Sequence, residues 1–269
     1  MTTAFRRPFA RALAAPLLAA LMLAGCAEGG LDLGDAPGAL VSEQEVTQMS
    51  LQTWQRIKQD EQPVQDEAMQ QRIDQIAQRI TKAADVAGGE PWEVVVFKSD
   101  QVNAFALPGR RIGIYAGLVE LADSDAEIAG VVAHEVGHVL KDHSRERLGA
   151  AKVSQVSVQA LNAALQAGNV SYANQIAGLL GAGAQYGVVL PYGRTQELEA
   201  DRFGLMTMAK AGYDPRAAID FWTKMGEQSE GKAPPEFTST HPSNERRLKQ
   251  LREMLPEAME VYRRKEGGT

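Results

Sequence analysis

The chain has one cysteine, Cys26, so no intramolecular disulfide framework is open to it. Aromatic residues are scarce at 6%, while alanine, glutamine, leucine and glutamate are plentiful, a balance that points to a mostly helical protein with little sheet. No basic stripe runs along the sequence. The formal net charge is -6, and Arg6, Arg7 and Arg11 lie in an acid-free stretch over residues 1–25, so the remainder is more acidic still. That excludes nucleic acid as a partner. There is no internal repeat, and from residue 153 to 193 there is no charged residue at all.

The apolar stretch 12–24 falls well short of the roughly 20 residues a spanning helix needs. With three arginines ahead of it, it reads as an export signal over residues 1–25. It ends Leu23-Ala24-Gly25-Cys26, which looks like a bacterial lipobox; the alternative is an ordinary signal peptide with a chance cysteine. Acylation at Cys26 would anchor the chain to a membrane without a transmembrane helix. Ala27 stands where aspartate would favour inner-membrane retention, so the periplasmic face of a Gram-negative outer membrane is expected. Residues 26–41, with Gly29, Gly30 and Pro37, read as a lipidated flexible tether.

Helical spacing then predicts helices over 42–60 and 66–84, the second with Ile73, Ile76 and Ile80 on one face. Val94-Val95-Val96-Phe97 is a buried-strand pattern. Residues 103–107, a Pro108-Gly109 turn and residues 111–115 read as a hairpin. Ser124 with Glu127 three residues on is a capping box that opens a helix reaching to about Leu148. The uncharged 153–193 segment reads either as helices packed beside that one or as a mobile lid or partner surface. A further helix over about 194–210 stops at Gly212, and Pro215 opens the next. The last amphipathic helix runs through Leu248, Leu251 and Leu255.

The chemistry concentrates in His134-Glu135-Val136-Gly137-His138. Residues i and i+4 share a helix face, so the two imidazoles can meet one metal ion. Glu135 sits about 100° further round, placed to reach an activated water without ligating the metal. Apolar neighbours put this run in a buried helix, where two unligated histidines would be costly. A third ligand is needed, and Glu197-Leu198-Glu199-Ala200-Asp201 offers it; spacing alone does not choose between Glu197 and Glu199.

These runs, with Asn103-Ala104-Phe105-Ala106-Leu107-Pro108-Gly109 and Thr240-His241-Pro242-Ser243, occur in the order seen in the HtpX/Ste-twenty-four/Oma-type zinc metallopeptidases, peptidase family forty-eight, over residues 45–255. The sequence most resembles their envelope branch, the LoiP-like lipoproteins and BepA-like proteases. No tetratricopeptide pattern follows residue 255, which brings the likeness nearer the LoiP-like side. The resemblance implies an α+β, mostly helical, zincin-like (gluzincin) domain with a small sheet over 42–260, followed by a disordered tail over 261–269. It implies one Zn2+ per chain held by His134, His138 and Glu197, with Asp201 behind a ligand histidine and Glu135 as general base. His241 matches a histidine able to take the fourth metal position and hold the enzyme shut. The strand around 111–115 would be the edge on which substrate pairs, with Asn103, Ala104, Ile112 and Ile114. Two departures from the family pattern are Arg110-Arg111 after Gly109, where a second glycine is common, and Gly193-Arg194 in place of Ser-Arg.

The expected activity is endoproteolysis of unfolded or misassembled envelope polypeptides by a metal-activated water. Candidates for the oxyanion partner are His143, Arg247 and Tyr192. The rival reading is a periplasmic chaperone or assembly factor for outer-membrane proteins with a latent zinc site. A structural zinc protein with a permanently closed fourth position is a second rival. The sequence leaves the oligomeric state open.

Overall fold

The computed structural model of the chain describes residues 38–84, 91–167, 190–228, 237, 241 and 245–267. The export signal, Cys26, most of the tether, the glycine-rich run at 178–183 and the Pro234-Pro235 loop lie outside them.

Helix α1 (Glu43–Asp60) is capped by Ser42, whose Oγ accepts the Glu45 amide, and α2 (Glu67–Ala83) by Asp66, which accepts the Met69 amide. The sheet follows: β1 (Glu93–Phe97), β2 (Ala104–Leu107) and β3 (Arg111–Tyr115). Then come α3 (Ala116–Leu121), α4 (Asp125–Leu140), α5 (His143–Ala167), α6 (Leu190–Ala211), α7 (Arg216–Gln228) and α8 (Glu245–Gly267). Among the described residues no helix is long and apolar enough to cross a membrane.

The sheet order is β1-β3-β2, with β1 parallel and β2 antiparallel to β3. This corrects the expected substrate edge. β3 is the central strand, hydrogen-bonded on both sides, and Ile112 and Ile114 are fully buried in it. Among the described residues the outer strand on that side is β2. The Tyr115 amide donates to the Asn103 carbonyl, so by strand alternation the backbone groups of Ala104 and Ala106 point away from β3.

Alternation also divides the sheet's two faces. Val96, Ala104, Ile112 and Ile114 join α2, α4, α6 and α7 in the main core, where each fully buried isoleucine contributes about 1.5–3 kcal/mol. Phe97, Phe105 and Tyr115 face the other way and pack with Trp54 of α1.

Three further boundaries differ from expectation. The helix carrying the two motif histidines ends at Leu140, and Asp142 adopts φ 57 before α5 begins, so it does not run on to Leu148. The end of the tether is docked: Gly38 and Val41 are buried, and Arg145 of α5 reaches the Gly38 carbonyl. The last helix continues to Gly267, so residues 261–267 are helical where a disordered tail was expected.

Candidate metal centre

Helix α4 is buried on all sides from Glu127 to His138, as expected of a helix apolar around its whole circumference. Its start is tied down. Ser124 Oγ accepts the Glu127 amide at 3.2 Å, while Glu127 Oε2 accepts the Asp123 amide at 3.0 Å and Lys224 Nζ at 2.8 Å. Helix α6 lies directly against α4. A Cβ on Gly137 would sit 3.3 Å from Ala200 Cα, and one on Gly204 would sit 3.3 Å from the His134 nitrogen. The two glycines let the backbones approach closely enough for side chains of the two helices to share one centre. Gly212, at φ 76, ends α6: its amide bonds to the Ala209 carbonyl and that of Tyr213 to Met208, a Schellman pattern.

His134 Nε2, His138 Nε2, the Glu197 carboxylate and His241 Nδ1 converge, with all four donor atoms within 4.8 Å of one another. His134 Nε2 lies 3.1 Å from His138 Nε2, 3.2 Å from His241 Nδ1 and 3.3 Å from Glu197 Oε2. Glu197 Oε1 lies 3.2 Å from His138 Nε2. A tetrahedral site with metal–donor bonds of about 2.0–2.1 Å has edges of about 3.3 Å, so this donor set fits a four-coordinate divalent ion. Glu199 is not in the group: it turns out to Lys141 Nζ at 2.8 Å, with its Oε2 3.4 Å from His143. The alternation left open by spacing is thus resolved in position, with Glu197 inside the cluster.

Asp201 stands behind His134, 3.0 Å from its Nδ1, and is itself clamped by Arg247 through two hydrogen bonds of 2.8 and 2.7 Å. The Arg247 guanidinium lies 3.6 Å over the Trp222 ring. The charges are arranged to match. Burial alone would lower the His134 pKa, but hydrogen bonds to Asp201 and Glu197 outweigh it and raise it to about 9. Burial pushes His138 down to about 2, leaving it a neutral donor. Burial works against an ionised Asp201, yet Arg247 and His134 lower it to about 2. Glu197, also opposed by burial, is held far below the usual carboxylate range by its three histidine contacts. A divalent ion held by this group would need the His134 Nε2 lone pair, so its binding would compete with that proton.

Glu135, 3% exposed, accepts the Ala106 amide through Oε2 at 3.0 Å. Its Oε1 lies 3.3 Å from His241 Nε2 and makes no hydrogen bond among the described residues, leaving a buried acceptor beside the donor cluster. His241 is held from behind. Its ring packs on Phe237, which stacks on Trp222, and the Phe237 amide bonds to the Val102 carbonyl beside the start of β2. A cleft of 470 Å³ opens beside His138, between Val46 and Thr47 of α1, the Pro108–Arg111 turn and Arg145 of α5.

Of the oxyanion candidates, Arg247 lies beneath the acidic pair and His143 behind His138; the side chain of Tyr192 is outside the described residues. No local pattern in the sequence signals the contacts that Arg247 makes with Asp201 or His143 with His138.

The sequence matches the profile of "Peptidase family M48" over residues 67–255. Among its relatives are the mitochondrial metalloendopeptidase OMA1 of Schizosaccharomyces pombe, 35% identical over 169 residues, and that of Arabidopsis thaliana, 37% identical over 182 residues. These alignments cover 62% and 67% of this chain, and 48% and 35% of those proteins. The beta-barrel assembly-enhancing protease of Escherichia coli is 28% identical over 247 residues, which is 86% of this chain and 49% of that one. The chain therefore spans between about a third and a half of each of these relatives. With the family profile covering most of its length and enclosing all of the ordered motifs, the chain belongs to peptidase family M48.

Proposed function

We propose that this chain is a zinc-dependent endopeptidase of the cell envelope that hydrolyses unfolded or misassembled polypeptides. The observation that carries it is the convergence of His134, His138 and Glu197 on one point, with the unbonded Glu135 Oε1 beside it. His134, His138 and Glu197 would hold the ion, with Asp201 fixing His134 so that Nε2 faces inward. When bound, zinc polarises the scissile carbonyl and activates water at neutral pH. Glu135 takes the proton of the attacking water and returns it to the leaving amine. An extended substrate pairs with the outward backbone groups of Ala104 and the Ala106 carbonyl on β2, the Ala106 amide being held by Glu135, a mode that suits unfolded chains because it reads main chain rather than sequence. The cleft beside His138 then takes up a substrate side chain.

The envelope location rests on the lipobox at Cys26 and on the likeness to the beta-barrel assembly-enhancing proteases. The test is casein hydrolysis and metal content of wild type and Glu135→Gln side by side. The proposal requires one zinc per chain in both, with hydrolysis abolished by a chelator and reduced at least about 10²-fold in the variant. Wild-type turnover by Glu135→Gln, or chelator-insensitive turnover, would overturn it.

A second reading is favoured by His241, which touches both Glu197 and Glu135. With that contact permanent, the protein would act as a chaperone for outer-membrane proteins with its site latent. Full complementation of a deletion strain by Glu135→Gln would decide for it.

A further inference from the structure

His143 is fully buried and takes no part in the reaction proposed above. We infer that His143, backed by Glu199, is the positioning residue that fixes His138 as a metal ligand. The inference rests on the proposed zinc site.

The geometry begins with the break after α4. In an unbroken helix, residue 143 would lie 500° on from residue 138, some 140° away round the axis, and the two side chains could not meet. Asp142, at φ 57, turns the chain so that His143 opens α5 with its ring directed back at His138. A non-glycine residue in that conformation is uncommon, and such backbone persists where the surroundings hold it. The result is a buried contact of 2.8 Å between His143 Nδ1 and His138 Nδ1, the nitrogen opposite the one that faces the metal group. Gln196 Nε2 donates to the His143 carbonyl at 3.3 Å and holds the backbone in place.

One proton lies between the two Nδ1 atoms, and its owner decides whether His138 can ligate. If His138 Nδ1 carries it, Nε2 keeps its lone pair for the metal. If His143 Nδ1 carries it, a neutral His138 has its proton on Nε2 and is blocked. Glu199 selects between these states. Its carboxylate only accepts, and it lies 3.4 Å from His143 Nε2, so it requires the His143 proton on Nε2. His143 Nδ1 is then an acceptor, and His138 Nδ1 must donate to it.

Arg147 Nη2 competes from 3.4 Å, since a guanidinium can serve only the wrong His138 tautomer. The His143 contact is much the shorter. His134 is backed by Asp201 in the same way, so residues 197–201 supply a ligand and both backing carboxylates.

Zinc affinity, measured by chelator competition on the full chain, tests this with His143→Leu, His143→Asn and Glu199→Ala. Leucine fills the space without an acceptor, while asparagine places an amide oxygen near the position of Nδ1. The expected result is a 10–100-fold loss of affinity for His143→Leu, most of it recovered in His143→Asn, and a smaller loss for Glu199→Ala. In the cobalt-substituted protein the visible spectrum should shift in the leucine variant and return in the asparagine variant. Thermal melts of the metal-free chains check folding. If His143→Leu does not fold, the asparagine and Glu199→Ala variants carry the comparison. Affinity within twofold of wild type in a folded His143→Leu, or in Glu199→Ala when that variant alone is decisive, overturns the inference, as does an asparagine variant no better than leucine. A wild-type chain that binds no zinc overturns the proposed function itself, and the inference with it.

Discussion

Gly204 of α6 lies so close to His134 of α4 that a Cβ there would stand 3.3 Å from the His134 backbone nitrogen and 3.5 Å from its Cα. The metal group depends on this approach, because His134 and His138 come from one helix and Glu197 from the other. A single methyl at Gly204 demands a shift of a few tenths of an ångström, whereas a branched side chain must push the helices apart. Gly204→Val should therefore cost about 1–3 kcal/mol of stability. It should also weaken zinc binding by more than about tenfold, since a displacement of 1 Å spoils donor spacing. Thermal unfolding with and without zinc measures both. An unchanged melting temperature together with unchanged affinity would show that the close packing is irrelevant to the site.

Arg247 is the only described guanidinium that hydrogen-bonds the buried Asp201, and it does so through two nitrogens. Replacing it with methionine keeps much of the volume against Trp222 but leaves the buried carboxylate with His134 as its remaining charged partner. Removing one partner of such a pair costs about 3–5 kcal/mol. Arg247→Met should lower the urea midpoint of the metal-free protein accordingly. Adding Asp201→Asn should return part of the loss, because the stranded charge is then gone. Strictly additive losses in the double mutant would mean the two residues do not act as a pair.

The parts of the site that are legible in the sequence are those whose signal is local. Helix α4 shows a capping residue, a 3.6-residue apolar period and two histidines four apart, and the structure keeps all three. The choice between Glu197 and Glu199 has no local signal. They lie about 200° apart on one helix, and only the direction from which α4 packs makes Glu197 the inward one. The central position of β3 was hidden for a similar reason: its parallel pairing with β1 spans residues that no turn connects, while the β2–β3 hairpin announces itself through Pro108-Gly109. The break at Asp142 carries neither glycine nor proline, so periodicity ran through it. His241 stands 103 residues after His138 in the sequence, and its place in the cluster was suggested only by the family resemblance.

The edge role of β2 makes a prediction that a central strand would not survive. The Ala106 amide points away from β3 and donates to Glu135, so proline there removes no ladder hydrogen bond within the sheet. Ala106→Pro should fold and bind zinc normally. It frees Glu135 from its only backbone donor among the described residues, and with it from the contact that aims the carboxylate. Peptide hydrolysis should fall by at least about tenfold, the equivalent of one hydrogen bond of roughly 1.5 kcal/mol. Steady-state kinetics on the zinc-loaded protein, beside a circular dichroism melt, provide the check. Normal kcat/KM in a folded Ala106→Pro would show that the Ala106 amide does not position Glu135.

His241 touches both the third candidate ligand and the base: its Nδ1 is 2.9 Å from Glu197 Oε2 and its Nε2 is 3.3 Å from Glu135 Oε1. In the proposed reaction the substrate carbonyl and the attacking water need that same space. If the imidazole is a plug, His241→Ala should lose zinc affinity, because one of four donors is gone, and yet hydrolyse casein several-fold faster when assayed at saturating zinc. If the imidazole instead moves aside and stabilises charge on the reacting carbonyl, the same variant at saturating zinc should lose about 10²–10³-fold in kcat with little change in KM. The two outcomes differ in sign, so one assay separates them. The aromatic support adds a second handle: Phe237→Ala removes the ring on which His241 packs without touching the donor group. A plug loosened in this way should show the same rise in hydrolysis with less loss of zinc. A fall in both variants would identify His241 as part of the working site.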